Sequence, residues 1–179
     1  MFHSDTNALI EIWTSLSCGP EARAGLPSRA SLYPDALGPR LTRAFLAERV
    51  GHDARLRLAG DWLEAFHGTP LTGAELSSLW RKRSHPMIAA ALMQTVREAR
   101  PVVVVAAVGA TNAPVEVTLT PFQGEAPGRE LILGLYAPTA TLTLPTGVSH
   151  HLTARVFTGV GEPGRPHLAL AALDGRRIA

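Results

Sequence analysis

Cysteine, lysine, aromatic residues and charge are all scarce in this chain of 179 residues. Cys18 is the one cysteine, which excludes an internal disulfide and any zinc or iron–sulfur site built from cysteines. Charged residues make up 18% of the chain, below the roughly 25% usual for soluble domains, while hydrophobic residues make up 46%. This composition excludes an intrinsically disordered chain and a histone-like binder, and the length fits one domain with at most a terminal extension.

Lysine is nearly absent, because 16 of the 17 basic residues are arginine and only Lys82 is lysine. The 15 acidic residues leave a formal net charge of +2. A nearly neutral, arginine-rich chain titrates little above pH 7, so the pI of about 9.2 overstates its positive field. We therefore expect no nucleic-acid partner.

Long apolar runs are missing as well. The longest, Val102 to Val108, is far shorter than the roughly 20 residues that span a bilayer. The residues from Met1 to Asn7 are polar, and Glu11 interrupts the apolar stretch that follows, so no signal peptide is predicted. We expect a cytoplasmic protein with no membrane partner.

The N-terminal segment predicts an amphipathic helix, which Asp5 or Thr6 caps and Gly19-Pro20 ends. Its apolar residues fall at helical spacing and form one stripe: Leu9, Ile12, Trp13 and Leu16. The stripe has two compatible roles, since it can cover a sheet of its own chain or pack against a second subunit. We expect a homodimer that uses this helix as its interface.

The rest of the chain predicts a hairpin, several short helices, one longer helix and then a meander of strands. Helices inserted between a hairpin and a meander indicate an α+β domain with one antiparallel sheet, whose helices cover one face. The predicted strands span residues 41–50, 54–58, 102–108, 115–120 and 131–136, with further candidates at 141–144, 152–158 and 167–173. The predicted helices span residues 62–66, 75–80 and 86–99.

This order of elements is that of a PAS domain, and several local motifs are similar to that family. The most specific is a run in which Arg55-Leu-Arg-Leu-Ala-Gly60 is followed by Leu71-Thr-Gly73 and then by Leu79-Trp80. Weaker matches are Leu26-Pro-Ser-Arg29, Pro34 and Phe45-Leu46. Over roughly Ile12 to Pro138, the chain resembles the compact PAS proteins that are common in alphaproteobacteria.

The resemblance implies a sensory or regulatory module, and no particular ligand. It divides the chain into a flanking or dimerisation helix (1–20), a PAS-like domain (21–138) and a C-terminal extension (139–179). We expect a stand-alone regulatory protein that acts on itself or on a signalling partner such as a sensor kinase, with or without a small apolar ligand.

A ligand pocket, if open, would lie between the sheet and the short helices. The candidates for its lining are large apolar side chains: Leu58, Trp62, Phe66, Leu76, Trp80, Ile88, Leu92, Val103, Val105, Val117 and Leu133. Simple core packing competes with this interpretation, because the same side chains can fill the space completely.

Three other features give weaker indications of function. Arg81-Lys82-Arg83 is the one basic cluster and is either a solvated loop or a contact for an acidic partner. Residues 159–164 match G-x-G-x-x-G, but Pro166 follows instead of a helix, which favours a hairpin turn. His67 is interpreted as a packing residue.

Cofactors and catalysis have little support. A histidine on the long helix would resemble the axial haem ligand of haem-binding PAS domains. His85 precedes Pro86 and so lies before the predicted start of that helix, which makes haem the less favoured alternative. No nucleophile-elbow, metalloprotease or P-loop motif occurs. We expect no cofactor, no metal and no enzyme activity, and the alternative is a small-molecule enzyme on the same α+β scaffold.

Overall fold

The structure is a computed structural model that describes residues 1–109, 112–124, 126, 129–138 and 149–162. Its helices are α1 (Ser4–Ser17), α2 (Asp61–His67) and α3 (His85–Arg97). Its strands are β1 (Ala44–Val50), β2 (Asp53–Ala59), β3 (Val102–Val108), β4 (Ala113–Gln123), β5 (Glu130–Pro138) and β6 (Leu152–Gly159). Short 3₁₀ turns occupy Arg29–Ser31, Pro34–Ala36, Gly38–Arg43, Leu76–Leu79 and Lys82–Ser84.

The six strands form one antiparallel sheet in the order β2-β1-β5-β4-β3-β6. β1 and β2 are a hairpin, and Gly51 in its turn adopts the left-handed conformation with φ of 63°. β3, β4 and β5 are the predicted meander, and β5 pairs with β1 so that hairpin and meander become one sheet. The predicted α+β fold with an antiparallel sheet is confirmed.

Most predicted elements lie close to their expected positions. The helix expected at 75–80 is a single 3₁₀ turn, and β1 begins three residues later than expected because Gly38–Arg43 forms another. The strand expected at 152–158 is β6, which pairs with β3 and forms one edge of the sheet. The strand candidates at 141–144 and 167–173, and positions 163–164 of the turn expected after Gly159, lie outside the described residues.

The two faces of the sheet carry separate apolar clusters, because successive side chains of a strand point to opposite sides. The face under α2 and α3, here called the inner face, joins their buried residues to one central cluster. The opposite, outer face contributes Ala44, Phe122, Leu131, Leu133 and Leu135 to a second cluster. The domain is therefore three layers deep where α1 lies over the outer face.

α1 covers the outer face of its own sheet. Leu9 and Trp13 are buried in the outer cluster, and the Trp13 indole Nε1 donates to the Pro121 carbonyl at 2.7 Å. Ile12 and Leu16 pack against the edge of this cluster and stay partly exposed. Of the two roles expected for the stripe, covering its own sheet accounts for Leu9 and Trp13.

Charged groups fix the start of α1. Asp5 accepts hydrogen bonds from Arg40 and Arg43, each at 2.8 Å. Burial opposes ionisation of Asp5, but the two guanidinium groups outweigh it and hold the pKa of the carboxyl below its usual value. The predicted cap at Asp5 or Thr6 was wrong: the N-cap is His3, whose Nδ1 accepts from the Asp5 amide at 3.1 Å.

Gly134 is needed because an aromatic ring crosses its strand on the inner face. A Cβ at Gly134 would lie 2.0 Å from the ring of Phe45, on the neighbouring strand. The missing side chain lets that ring lie against Tyr136, with centroids 6.2 Å apart and planes at 85°.

Over the described residues, no helix is both long and apolar enough to cross a bilayer.

Candidate functional site

A chain of hydrogen bonds runs through the inner face. His67, the last residue of α2, places its Nδ1 2.7 Å from the carbonyl oxygen of His150. Its Nε2 lies 3.2 Å from the hydroxyl of Tyr136 on β5. We call His67, Tyr136 and His150, together with the ring of Phe66, the buried histidine cluster.

The partners of His67 determine its tautomer. A carbonyl oxygen can only accept, so the proton lies on Nδ1, which donates to His150. Burial favours the neutral ring, whose Nε2 carries no proton and accepts from the Tyr136 hydroxyl. The imidazole then uses both of its nitrogens.

Burial keeps both titratable side chains of this pair uncharged. His67 is 2% exposed, and burial lowers its pKa to about 4, against the opposing effect of the His150 carbonyl. The nearby imidazoles of His151 and His150 lower it further. Burial also raises the pKa of Tyr136 far above its usual value. At neutral pH the two side chains are therefore joined by a hydrogen bond, and neither carries a charge.

Aromatic rings surround this polar centre. Phe66 stacks on Trp62 with centroids 5.1 Å apart, and it meets His67 and Tyr136 edge-on. The His150 ring lies 5.5 Å from Phe66 at a tilt of 44°. The environment is apolar apart from the hydrogen-bonding atoms, which explains the strong desolvation of His67.

Two buried polar atoms near this cluster have no hydrogen-bond partner among the described residues. They are Nε1 of Trp80 and Nε2 of His150. Both belong to the same place in the fold, because Trp80 pairs with Leu152, two residues after His150, and the Arg81 amide donates to the Leu152 carbonyl at 2.8 Å. An unsatisfied buried polar group costs about 1–3 kcal/mol.

The structure brings most of the predicted pocket residues to the inner face. These are Trp62, Phe66, Leu76, Trp80, Ile88, Leu92 and Val117. That they line a ligand pocket stays a prediction. Sequence reasoning missed Tyr136 and His150; a tyrosine hydroxyl within the apolar run 131–136 was the available signal for the first.

The inner-face placement predicted for the other four residues was wrong. Leu58 is on the outer face because of a bulge in β2. Leu46 pairs with Leu58 and Ala47 with Leu56, so Arg57 is an extra residue and the side chains beyond it change faces. Val103 and Val105 alternate with Val104, which points inward, and Leu133 packs in the outer cluster. Strands that are apolar on both faces give no alternation by which to choose a side.

The family comparison matches residues 1–137 to the PAS domain model. The chain belongs to the PAS domain family. A comparison with curated proteins found no match. PAS domains are generally sensory and non-catalytic, and this PAS domain has the five-stranded order β2-β1-β5-β4-β3, with β6 added at one edge.

The remaining predicted sites lie apart from the buried histidine cluster. Arg81, Lys82 and Arg83 are exposed around a 3₁₀ turn, and Arg83 reaches the hydroxyl of Thr153 at 3.4 Å. A role for them in binding a partner stays a prediction. Within the described part of the chain, no group of three or more His, Cys, Asp or Glu residues could hold a metal ion.

His85, the residue considered for haem, begins α3. Its Nε2 lies 3.2 Å from the Trp80 carbonyl, to which it can only donate. The proton on Nε2 leaves the lone pair of the ring on Nδ1. Haem binding by His85 stays the less favoured prediction.

The low pKa of His67 predicts a pH-dependent loss of stability. The unfolded histidine takes up a proton near pH 6.5, whereas the folded one does so only near pH 4. Stability from this group is therefore complete above pH 6.5 and falls by about 3 kcal/mol by pH 4. Urea unfolding at several pH values should show this fall in the wild type and its absence in His67→Gln.

His52→Gln is the matched control, because His52 is exposed. Acidic residues with a lowered pKa, such as Asp5, also lose stabilising contacts on acidification, but equally in all three proteins, so the difference between the curves isolates His67. Parallel curves for the wild type and His67→Gln would contradict the neutral, buried state of this residue.

Proposed function

We propose that this PAS protein is a regulatory module that binds a small, largely apolar ligand beside the buried histidine cluster. A change at that site is passed on through contacts with a protein partner, either a second copy or a signalling protein such as a sensor kinase. The observation that carries the proposal is a pair of buried atoms without partners among the described residues. One is Nε2 of His150, the residue whose carbonyl accepts from His67, and the other is Nε1 of Trp80, whose backbone pairs with Leu152, two residues after His150.

Unpaired buried polar atoms are rare in folded proteins and call for a specific explanation. The Trp80 indole can only donate, so a matching ligand offers it a hydrogen-bond acceptor. Trp80 belongs to the apolar cluster of the inner face, in which Phe66, Leu76 and Leu152 are also buried. These features support a small ligand that is mostly apolar and has at least one acceptor.

The cluster also offers a path outward. Tyr136 belongs to the sheet, His67 to α2, and His150 to the segment that enters β6. A ligand that competes for any of these hydrogen bonds would shift α2 or β6 relative to the sheet. This supports regulation by a change of surface, with no catalytic step.

A partner surface is proposed on α1. Its residues Ile12 and Leu16 continue the stripe of Leu9 and Trp13 but are only partly covered by their own sheet. Burial of this remainder in a symmetric contact removes apolar surface from water on both subunits at once. The proposed homodimer therefore uses the half of the stripe that the fold leaves open.

Bound ligand is tested by mass spectrometry. We expect freshly purified wild-type protein to be heavier under native conditions than its denatured mass by one small molecule per subunit, without a Soret band. Trp80→Phe removes the donor while keeping an aromatic ring, and should lose this mass.

Trp13→Phe, which removes an indole from the outer cluster on the other face of the sheet, should keep it. The proposed ligand would be contradicted if the wild-type protein carried no extra mass and if small molecules extracted from cells left its melting temperature unchanged. A Soret band would instead support the haem-binding alternative.

The dimer is tested by a charge on α1. Leu16→Glu should convert a dimer into a monomer, because it puts a carboxylate into the proposed apolar contact. Ser15→Glu, one residue away on the exposed side of α1, should remain dimeric. Light scattering after size exclusion gives the masses, and circular dichroism checks the fold. A wild-type monomer, or equal behaviour of both variants, would contradict this interface.

A further inference from the structure

The outer face of the sheet holds two adjoining cavities, on the side away from the buried histidine cluster. Both lie between β1, β2 and β5 and the irregular segment that leads from α1 to β1. They share Arg29, Leu46 and Leu58 in their walls. One is small and apolar, and the other is larger and charged.

The smaller cavity is an aliphatic slot of about 260 Å³. Arg29 is the one charged residue in its wall among the described residues. Its leucines come from both the segment and the sheet: Leu32, Leu37, Leu41, Leu46, Leu58 and Leu133. Leu58 is 59% exposed, an unusual state for a leucine in a strand, so the slot leaves apolar surface in contact with water.

The larger cavity, of about 1130 Å³, is lined by four arginines and two glutamates, a surplus of two positive charges. Its glutamates already have partners. Glu48 pairs with Arg57 and with Arg129, the latter at 3.0 Å, and Glu21 accepts from the Ser31 hydroxyl at 2.6 Å. An anion here therefore meets carboxylates whose charge is already compensated or engaged.

Arg29 stands at the junction of the two cavities. Its Nη1 donates to the Leu32 carbonyl at 3.2 Å, which is the one hydrogen bond that its guanidinium makes among the described residues. A guanidinium has five N–H donors, and its planar fork matches a carboxylate. The slot thus has a cation at its mouth with donors to spare.

We propose that this outer-face site binds an aliphatic carboxylate, with the chain in the leucine slot and the carboxylate on Arg29. The slot has the volume of about eight or nine water molecules at ~30 Å³ each. A methylene group is of similar size, so the slot accepts a chain of about eight carbons. The site is independent of the ligand proposed for the buried histidine cluster.

The site is tested by calorimetric titration of the full chain with hexanoate, octanoate and decanoate, below their micelle concentrations. Affinity should rise about fourfold per added methylene up to about eight carbons and then level off as the slot fills. Octanol and octylammonium should bind about tenfold more weakly than octanoate, because neither satisfies the guanidinium. Equal affinity for all three head groups would overturn the role of Arg29.

Variants locate the binding. Leu58→Ser should weaken octanoate about tenfold, while Val156→Ser, at a similarly exposed residue on β6, should leave it unchanged. Arg29→Gln should abolish the preference for octanoate over octanol, and Arg29→Lys should restore part of it. If Trp80→Phe loses octanoate and Leu58→Ser keeps it, the carboxylate binds at the inner cluster and the outer-face site is wrong.

Discussion

The hydrogen bonds of His67 connect three parts of the domain that share no sequence neighbourhood. Nδ1 holds the carbonyl of His150 before β6, and Nε2 holds the hydroxyl of Tyr136 in the sheet, while the backbone of His67 ends α2. Gly68 completes this end of α2 in the left-handed conformation, with φ of 68°. A single neutral imidazole therefore joins the end of α2 to the sheet and to the segment that enters the added edge strand.

A polar chain in an apolar core stabilises the fold through the members that have partners, and each unpaired member costs stability. His67 and Tyr136 satisfy one another, and burial keeps both uncharged at neutral pH. Nε2 of His150, whose carbonyl belongs to this chain, and Nε1 of Trp80, on the same face of the sheet, have no partners among the described residues. The satisfied part fixes the geometry, and the unsatisfied part is where the proposed ligand would add to it.

Most of the fold could be predicted from the sequence, but only part of the candidate site could. Turn residues, helical spacing and the two-residue period of β4 placed nearly every element, because these are local signals. The side of the sheet was harder, since β3 is apolar on both faces and Val103 could not be told from Val104. Leu58 depended on a bulge that forms only when β1 pairs with β2. The partners of His67 are 69 and 83 residues away, so no local pattern joins them.

In this PAS domain a neutral His67, protonated on Nδ1, joins α2 to the sheet inside the core. Long-range proton–nitrogen NMR spectra of the imidazoles, recorded between pH 7 and pH 4, report the protonation of each ring nitrogen. We expect a proton on Nδ1 of His67, an accepting Nε2, and no titration of this ring until about pH 4. A proton on Nε2, or titration of His67 near the ordinary histidine value of about 6.5, would contradict this state.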